Sequence, residues 1–177
     1  MRWMLAGAMF ALAACATPGS SLRTTGPEPL VRLGAAESPI ATSVAVPAGH
    51  DLVYISGSVP EVANAGAPAG SIERYGDTEA QTRSVLGRID AALREQGLGL
   101  GDIVMMRVFL VAPPGQPRMD FAGMMRAYRE RFGNPGQPLR PARSTMEVSG
   151  LVDPGWLVEI EAMAAISPER RRAAGVR

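Results

Sequence analysis

The spacing of the apolar residues between positions 40 and 165 alternates between that of strands and that of helices, which restricts the chain to a mixed α+β fold. Two runs have helical spacing: the first begins with a capping box at Thr78 and ends at Gly97, and the second begins at Asp120 and ends at Gly133. Five shorter runs have strand character: 41–46, 51–59, 103–112, 142–148 and 156–166. The predicted order is ββαβαββ, with the first two runs joined as a hairpin and both helices packed on one face of the sheet.

Residues 1–14 have the features of a secretory signal peptide, because Arg2 precedes an apolar run too short to cross a bilayer about 30 Å thick as a helix. The run closes on Leu12-Ala13-Ala14-Cys15, which resembles the bacterial lipobox, where a peptidase cuts before the cysteine and the cysteine then receives lipid. The alternative is an unrelated cysteine beside an ordinary signal peptide. We expect export, lipidation at Cys15 and anchoring at the periplasmic face of the cell envelope. Ala16 in place of aspartate indicates the outer membrane, by analogy with lipoproteins of Gram-negative cells.

The length of 177 residues fits one domain with flanking segments. Residues 15–36 hold the cysteine followed by many Pro, Gly, Ser and Thr residues, so they are predicted to form a flexible tether. The folded domain is expected over 37–166, with an unusually long loop at 60–76. A basic, solvated tail is expected at 167–177.

The composition argues against several kinds of chemistry. All eighteen basic residues are arginine, so the chain has no lysine for Schiff-base formation. His50 is the only histidine and Cys15 the only cysteine, which argues against histidine triads, zinc sites of the usual ligand count and intramolecular disulfides. The formal net charge of +1 argues against a nucleic-acid surface.

Two charged residues stand out within apolar strands. Arg143 enters a strand directly after a Pro-rich loop, where its guanidinium could hold a carboxylate through two parallel hydrogen bonds. Glu159 alternates with apolar residues, so its carboxylate is expected to face solvent, an interface or a positive partner. An ordinary ion pair between Arg143 and Glu159 is the alternative that these patterns leave open.

Four segments together resemble the RidA (YjgF, Rid) family in their order and spacing, over about residues 40–166. They are Val53-Tyr54-Ile55-Ser56-Gly57, Gly97-Leu98 with Gly101-Asp102-Ile103-Val104, Pro141-Ala142-Arg143-Ser144 and Val158-Glu159-Ile160-Glu161-Ala162. The resemblance implies a chorismate-mutase-like fold and a homotrimer with sites in the clefts between subunits. It also implies hydrolysis of reactive imines and enamines to a 2-oxo acid and ammonia, without metal or cofactor.

The resemblance also implies roles for individual residues. Arg143 matches the family arginine that holds the substrate carboxylate, Glu159 matches a glutamate that helps to place the attacking water, and Ser56 with Gly57 matches the substrate-binding pair of the early strand. The chain departs from the family at two other substrate-binding positions, where Met125 replaces an asparagine and Thr145 replaces a cysteine. A tyrosine that often lines the cleft has no counterpart in residues 40–43.

The sequence therefore predicts two alternative functions. The first is a hydrolytic deaminase of small carboxylate-bearing imines, in which Arg143 and Glu159 are the catalytic residues. The second is a trimeric protein that binds a small anionic metabolite without chemistry. Some relatives carry an endoribonuclease label, but the charge balance and the lone histidine argue against RNA as a partner. The sheet face without helices, expected to carry Leu, Val and Met, would then be the surface between copies.

Replacement of Cys15 by serine tests the predicted anchor. We expect Cys15→Ser to move the protein from the membrane fraction to the soluble fraction of the envelope, because the cysteine would carry the lipid chains needed for stable attachment. Fractionation followed by immunoblotting measures the distribution. Unchanged membrane association of the variant would contradict lipidation at this residue.

Overall fold

The protein is described from a computed structural model that covers residues 29–173 and 175. The strands within these residues are β1 (Val31–Leu33), β2 (Ser43–Ala45), β3 (Asp51–Ser58), β4 (Ile103–Leu110), β5 (Ala142–Glu147) and β6 (Val158–Ile166). The helices are α1 (Thr78–Glu95), α2 (Phe121–Arg129) and α3 (Pro168–Ala173), and none of these three could span a membrane. The predicted signal peptide and Cys15 lie outside the described residues.

Four strands form one sheet in the order β3-β6-β4-β5. Strand β6 is antiparallel to both β3 and β4, whereas β4 and β5 run parallel. The core lies on one face of this sheet, where Met106, Val108 and Leu110 of β4 are fully buried. Helix α1 packs against β6 and β3, and α2 packs against α1. The predicted α+β fold with two helices on one face of the sheet is therefore confirmed.

The opposite face of the sheet carries a mixture of side chains. The predicted leucine and methionine side chains are present, as Leu52, Met105 and Met163. Val108 and Val158, by contrast, occupy alternating positions that point into the core. We call this helix-free side of the sheet the open face.

The predicted hairpin between the first two strand-like runs is wrong. Strand β2 pairs with β1 in a separate two-stranded sheet, and β3 pairs with β6. The segment is held by Arg32 of β1, whose Nη2 donates to the carbonyl oxygens of Gly101 at 2.8 Å and Ile103 at 3.0 Å. The predicted end of the tether at residue 36 is therefore too late, because β1 already belongs to the fold.

The residues after β6 are also more ordered than the predicted solvated tail. They form α3, and Arg170 forms an ion pair with Asp102 on the domain. Arg171 Nη1 contacts Asp51 Oδ2 at 2.6 Å. Two arginines of the predicted tail therefore fasten α3 to the starts of β3 and β4.

The predicted helix boundaries are confirmed at the end of α1 and the start of α2, but two others are wrong. Helix α2 ends at Arg129, four residues before the predicted Gly133, because the chain continues in a turn in which the Phe132 N–H donates to the carbonyl oxygen of Tyr128 at 3.0 Å. Asp120 caps α2, since its carboxylate accepts from the Gly123 N–H at 2.8 Å, and Gly97 follows α1 with a φ of +69°, as a left-handed cap requires. The capping box predicted at Thr78 is wrong. The cap of α1 is Asp77, and the last residue of the predicted box, Gln81, is fully buried instead.

The Gln81 amide connects α1 to the segment that leads into β6. Its Nε2 donates to the carbonyl oxygens of Gly76 at 2.8 Å and Gly155 at 2.9 Å, and its Oε1 accepts from the Leu157 N–H at 2.7 Å. Both N–H groups and the oxygen of the Gln81 side-chain amide therefore have backbone partners. In the same way, the amide supplies hydrogen-bond partners to the carbonyl oxygens of Gly76 and Gly155 and to the Leu157 N–H.

Replacing Gln81 by leucine should destabilise the domain strongly. The change keeps the side-chain volume but leaves three backbone groups without partners, which should lower the free energy of unfolding by about 2 kcal/mol or more. Urea denaturation measures the loss, and Gln116→Leu, at an exposed loop position, is the matched control. Equal effects of the two variants would contradict this role for Gln81.

Candidate functional site

Arg143 lies on β5 with its side chain turned toward α2. Its Nη2 lies 3.2 Å from Met125 Sδ, and its Nη1 lies 3.9 Å from Met124 Sδ. The guanidinium carbon stands 4.3 Å from the centre of the Tyr128 ring and 5.9 Å from that of Phe121. Thioether sulfurs are weak acceptors and the aromatic faces attract the cation, so this surrounding positions the guanidinium without neutralising it.

No carboxylate pairs with Arg143 within residues 29–173. Burial lowers the pKa of the guanidinium from its usual value, partly opposed by Tyr128. Burial also raises the pKa of Tyr128 to about 12, and the nearby arginine charges partly oppose this. The Tyr128 hydroxyl and Thr145 Oγ1 are both buried, and neither makes a hydrogen bond of regular geometry to the described residues.

These features would suit a small anion. A half-buried cation is stabilised most effectively by a charge-assisted pair, and the Tyr128 and Thr145 hydroxyls lack a regular hydrogen bond among the described residues. We call the group formed by Arg143, Met125, Tyr128 and Thr145 the cation half-site. A small carboxylate would satisfy the guanidinium and one or both hydroxyls.

Glu159, Gly57 and Ser56 lie together on the open face. A Cβ atom built on Gly57 would stand 1.9 Å from Glu159 Oε1, so the carboxylate occupies the space that a side chain at position 57 would need. Ser56 precedes Gly57 on β3 and is exposed. The carboxylate of Glu159 makes no ion pair in the described part of the chain. We call Ser56, Gly57 and Glu159 the carboxylate half-site.

A cavity of about 290 Å³ extends along the open face from Ser56. Its wall includes Tyr54 and Met105, together with Arg107 and Glu161, whose Nη1 and Oε2 atoms form an exposed ion pair at 3.2 Å. The next glutamate along β6 therefore has a cation from its own chain, whereas Glu159 has none.

The two half-sites cannot meet within one chain. Arg143 pairs with Met106 of β4 and shares its core-facing side, whereas Glu159 pairs with Phe109 and points away from the helices. The pairing partners lie three residues apart on β4, about 10 Å along the strand. An intrachain ion pair between Arg143 and Glu159, the alternative that the sequence left open, is therefore wrong.

The site contains one residue, Tyr128, that was not among the candidates from the sequence. Tyr128 lies one helical turn after Met125 on α2, which brings both side chains to the guanidinium. A phenol among core residues needs a hydrogen-bond partner, and that requirement is the signal that could have drawn attention to it. Across residues 29–173, no group of three His, Cys, Asp or Glu side chains is arranged to hold a metal ion.

Comparison with known proteins gives consistent matches over the domain. The family described as Endoribonuclease L-PSP matches residues 35–166. A RutC family protein of Pyrococcus abyssi is 35% identical over 122 residues, which cover 69% of this chain and 84% of the relative. A solved Rid family structure, YyfB from Yersinia pestis, is 28% identical, covers 72% of this chain and 87% of that chain, and has a TM-score of 0.53. The structure of E. coli TdcF with bound serine is 26% identical, covers 77% and 99% respectively, and has a TM-score of 0.51.

The contact between Gly57 and Glu159 can be tested by a double-mutant cycle. We expect Gly57→Ala to lower the free energy of unfolding by about 1 kcal/mol, because the new methyl group displaces the carboxylate. In a Glu159→Ala background the same change should have little effect. Urea denaturation at one protein concentration gives the four values. Gly150→Ala, where a new Cβ meets no atom within 4 Å, is the control, and a full effect of Gly57→Ala in both backgrounds would contradict the contact.

Proposed function

Because this chain belongs to the YjgF/Rid family, which has the chorismate-mutase-like fold, we propose that it is a hydrolase of small, carboxylate-bearing imines and enamines. The products would be a 2-oxo acid and ammonia, and the reaction would need no cofactor. We do not extend the proposal to the endoribonuclease activity in the family description, because the chain has a formal net charge of +1 and a single histidine.

The single observation that carries this proposal is the half-buried guanidinium of Arg143, which has no carboxylate partner among residues 29–173 and lies 4.3 Å from the centre of the Tyr128 ring. The planar fork of an arginine suits bidentate recognition of a carboxylate and keeps its charge at any physiological pH. TdcF, which has the same fold, was solved with bound serine, a ligand that also carries a carboxylate. This supports a small amino-acid-derived substrate.

A homotrimer would unite the half-sites. The open face has exposed or half-buried apolar side chains, which favours its burial against another copy. In a closed ring, Glu159 of one chain would face Arg143 of a neighbouring chain, and every cleft would be identical. Each copy would then contribute its cation half-site to one cleft and its carboxylate half-site to another.

In such a cleft, Arg143 would hold the substrate carboxylate and Glu159 would act on water. The water oxygen bonds to the imine carbon while Glu159 accepts one proton and returns it to the nitrogen. The carbon then carries a hydroxyl and an amino group. As the carbon–nitrogen bond breaks, the hydroxyl proton moves to the nitrogen, which leaves as ammonia with the bonding electron pair. The carbonyl of the 2-oxo acid remains.

A second candidate function is capture of a small anion without chemistry. The observation that favours it is Met125, whose thioether occupies a position next to Arg143 where a polar side chain could otherwise help to handle water or nitrogen. We also propose that either function is exercised at the periplasmic face of the envelope, with the domain held there by lipid on Cys15. Ammonia release from imines generated by an amino-acid oxidase distinguishes the two functions.

Mixing two inactive variants tests the shared cleft. Arg143→Lys removes the bidentate fork and Glu159→Gln removes the base, so each variant alone should lose about a hundredfold or more in ammonia release. If the variants are unfolded together in equal amounts and refolded, about one quarter of the clefts in randomly assorted trimers should combine both native residues. Activity should therefore recover to about one quarter of that of the parent.

Each variant refolded alone is the control and should stay inactive. Mixed trimers no more active than the controls would contradict the shared cleft. A parent that binds 2-oxo acids but releases no ammonia would support the binding function in place of hydrolysis.

A further inference from the structure

Two further arginines, Arg32 and Arg140, lie beside the loop that leads into β5. Arg32 and Arg140 border a surface cavity of about 220 Å³. The rest of its wall consists of small or apolar residues: Leu33, Gly34, Ala41, Pro138 and Leu139. The cavity is therefore walled by two cations and contains no acidic side chain in its lining.

Both guanidinium groups are held in place by neutral backbone oxygens. Besides its bonds to Gly101 and Ile103, Arg32 donates from Nε to the carbonyl oxygen of Arg140 at 3.2 Å. The Nη1 of Arg140 donates to the carbonyl oxygens of Ala35, Ala36 and Ser38. Carbonyl oxygens orient a guanidinium without cancelling its charge, so both cations keep their full attraction for an anion.

The acidic group that acts on Arg32 is bound by other partners. Asp102 acts on Arg32 electrostatically and raises its pKa, although burial has the larger, lowering effect. Its carboxylate is, however, bound by Arg170 and by the Gly99 N–H. The Nε and Nη2 donors of Arg140 have no hydrogen-bond partner among residues 29–173.

Arg140 relates this cavity to the cation half-site. Arg140 stands three residues before Arg143, and its Cδ would be 3.2 Å from a Cβ built on Gly133, in the turn that follows α2. The charge of Arg140, like that of Arg143, acts on the Tyr128 hydroxyl and lowers its pKa against the larger effect of burial. The phenol of Tyr128 is therefore within electrostatic reach of both arginines.

We propose that the cavity between Arg32 and Arg140 is a second anion subsite of the cation half-site, and that the preferred substrate is the imine of a dicarboxylic 2-amino acid. This rests on the proposed function, in which Arg143 holds the carboxylate next to the imine carbon. The distal carboxylate would then be taken by the free donors of Arg140 beside Arg32. A substrate of this class matches two separate cationic positions, whereas an imine with an apolar side chain would leave the second position empty.

Binding of two five-carbon acids tests the subsite. Calorimetry would compare 2-oxoglutarate, which carries the distal carboxylate, with 2-oxopentanoate, which lacks it. We expect the parent to bind the diacid about tenfold more tightly or better, as one added charge-assisted contact allows. Arg140→Gln should reduce binding of the diacid to the level of the monoacid and leave monoacid binding unchanged.

Two further variants keep the test decisive. Because Arg140 also binds residues 35–38, its replacement could disturb the fold, and Leu139→Glu is therefore tested as well. Leu139 lies on the cavity wall and is 45% exposed. A carboxylate there should abolish the preference for the diacid by repulsion and leave the contacts of Arg140 in place. Arg94→Gln, an equal change of charge on the outer side of α1, should leave both affinities unchanged.

The outcomes separate this inference from the proposed function. The second subsite would be overturned if the parent bound the two acids with equal affinity. It would also be overturned if Arg140→Gln and Leu139→Glu weakened binding of the diacid and of the monoacid equally. In either case the parent would still bind the monoacid through Arg143, so the proposed function would stand. Absence of binding of either acid to the parent would overturn the proposed function itself.

Discussion

The pairing of β4 with β6 and with β5 determines on which face of the sheet Glu159 and Arg143 lie. Because successive side chains of a strand point to opposite faces, the register that buries Met106, Val108 and Ile160 beneath the helices also turns Glu159 and Arg107 outward. A shift by one residue would exchange these sets and place charges in the core. The apolar core therefore enforces the separation of the cation half-site from the carboxylate half-site.

Burial of Arg143 is compatible with stability because several weak interactions replace one strong pair. Two thioethers and the face of Tyr128 surround the guanidinium, and each interaction is modest. A carboxylate from the chain itself would stabilise the cation more, but it would also occupy the position that a ligand needs. The arrangement keeps the charge desolvated and available, at some cost to the free energy of folding.

The sequence predicted the parts of the fold that depend on local patterns. Alternation in β6, the apolar run of β4, the cap at Asp120 and the left-handed turn at Gly97 all arise from neighbouring residues, and these predictions are confirmed. Strand β1 was missed because three residues cannot show a period, and its position depends on contacts between Arg32 and backbone groups about seventy residues away.

The residues of the candidate site come from the family resemblance, whereas their surroundings come only from the structure. The family resemblance identified Arg143, Glu159, Ser56 and Gly57, and Gly57 does lie against Glu159. It did not reveal Tyr128, because an aromatic residue on the buried side of a helix has the same pattern whether it packs in the core or against a cation. Likewise, Gln81 matched a helix cap by spacing, whereas tertiary contacts make it a buried connector.

The segment before β6 is fastened from two sides. Gln81 holds it to α1, and the long loop at 60–76 holds it through the Tyr75 hydroxyl, which donates to Asp153 Oδ2 at 2.7 Å. Glu159 follows directly on this segment, within a strand that has neighbours on both sides. The backbone of Glu159 therefore loses its conformational entropy when the chain folds, so binding of the proposed ligand would not have to order it again.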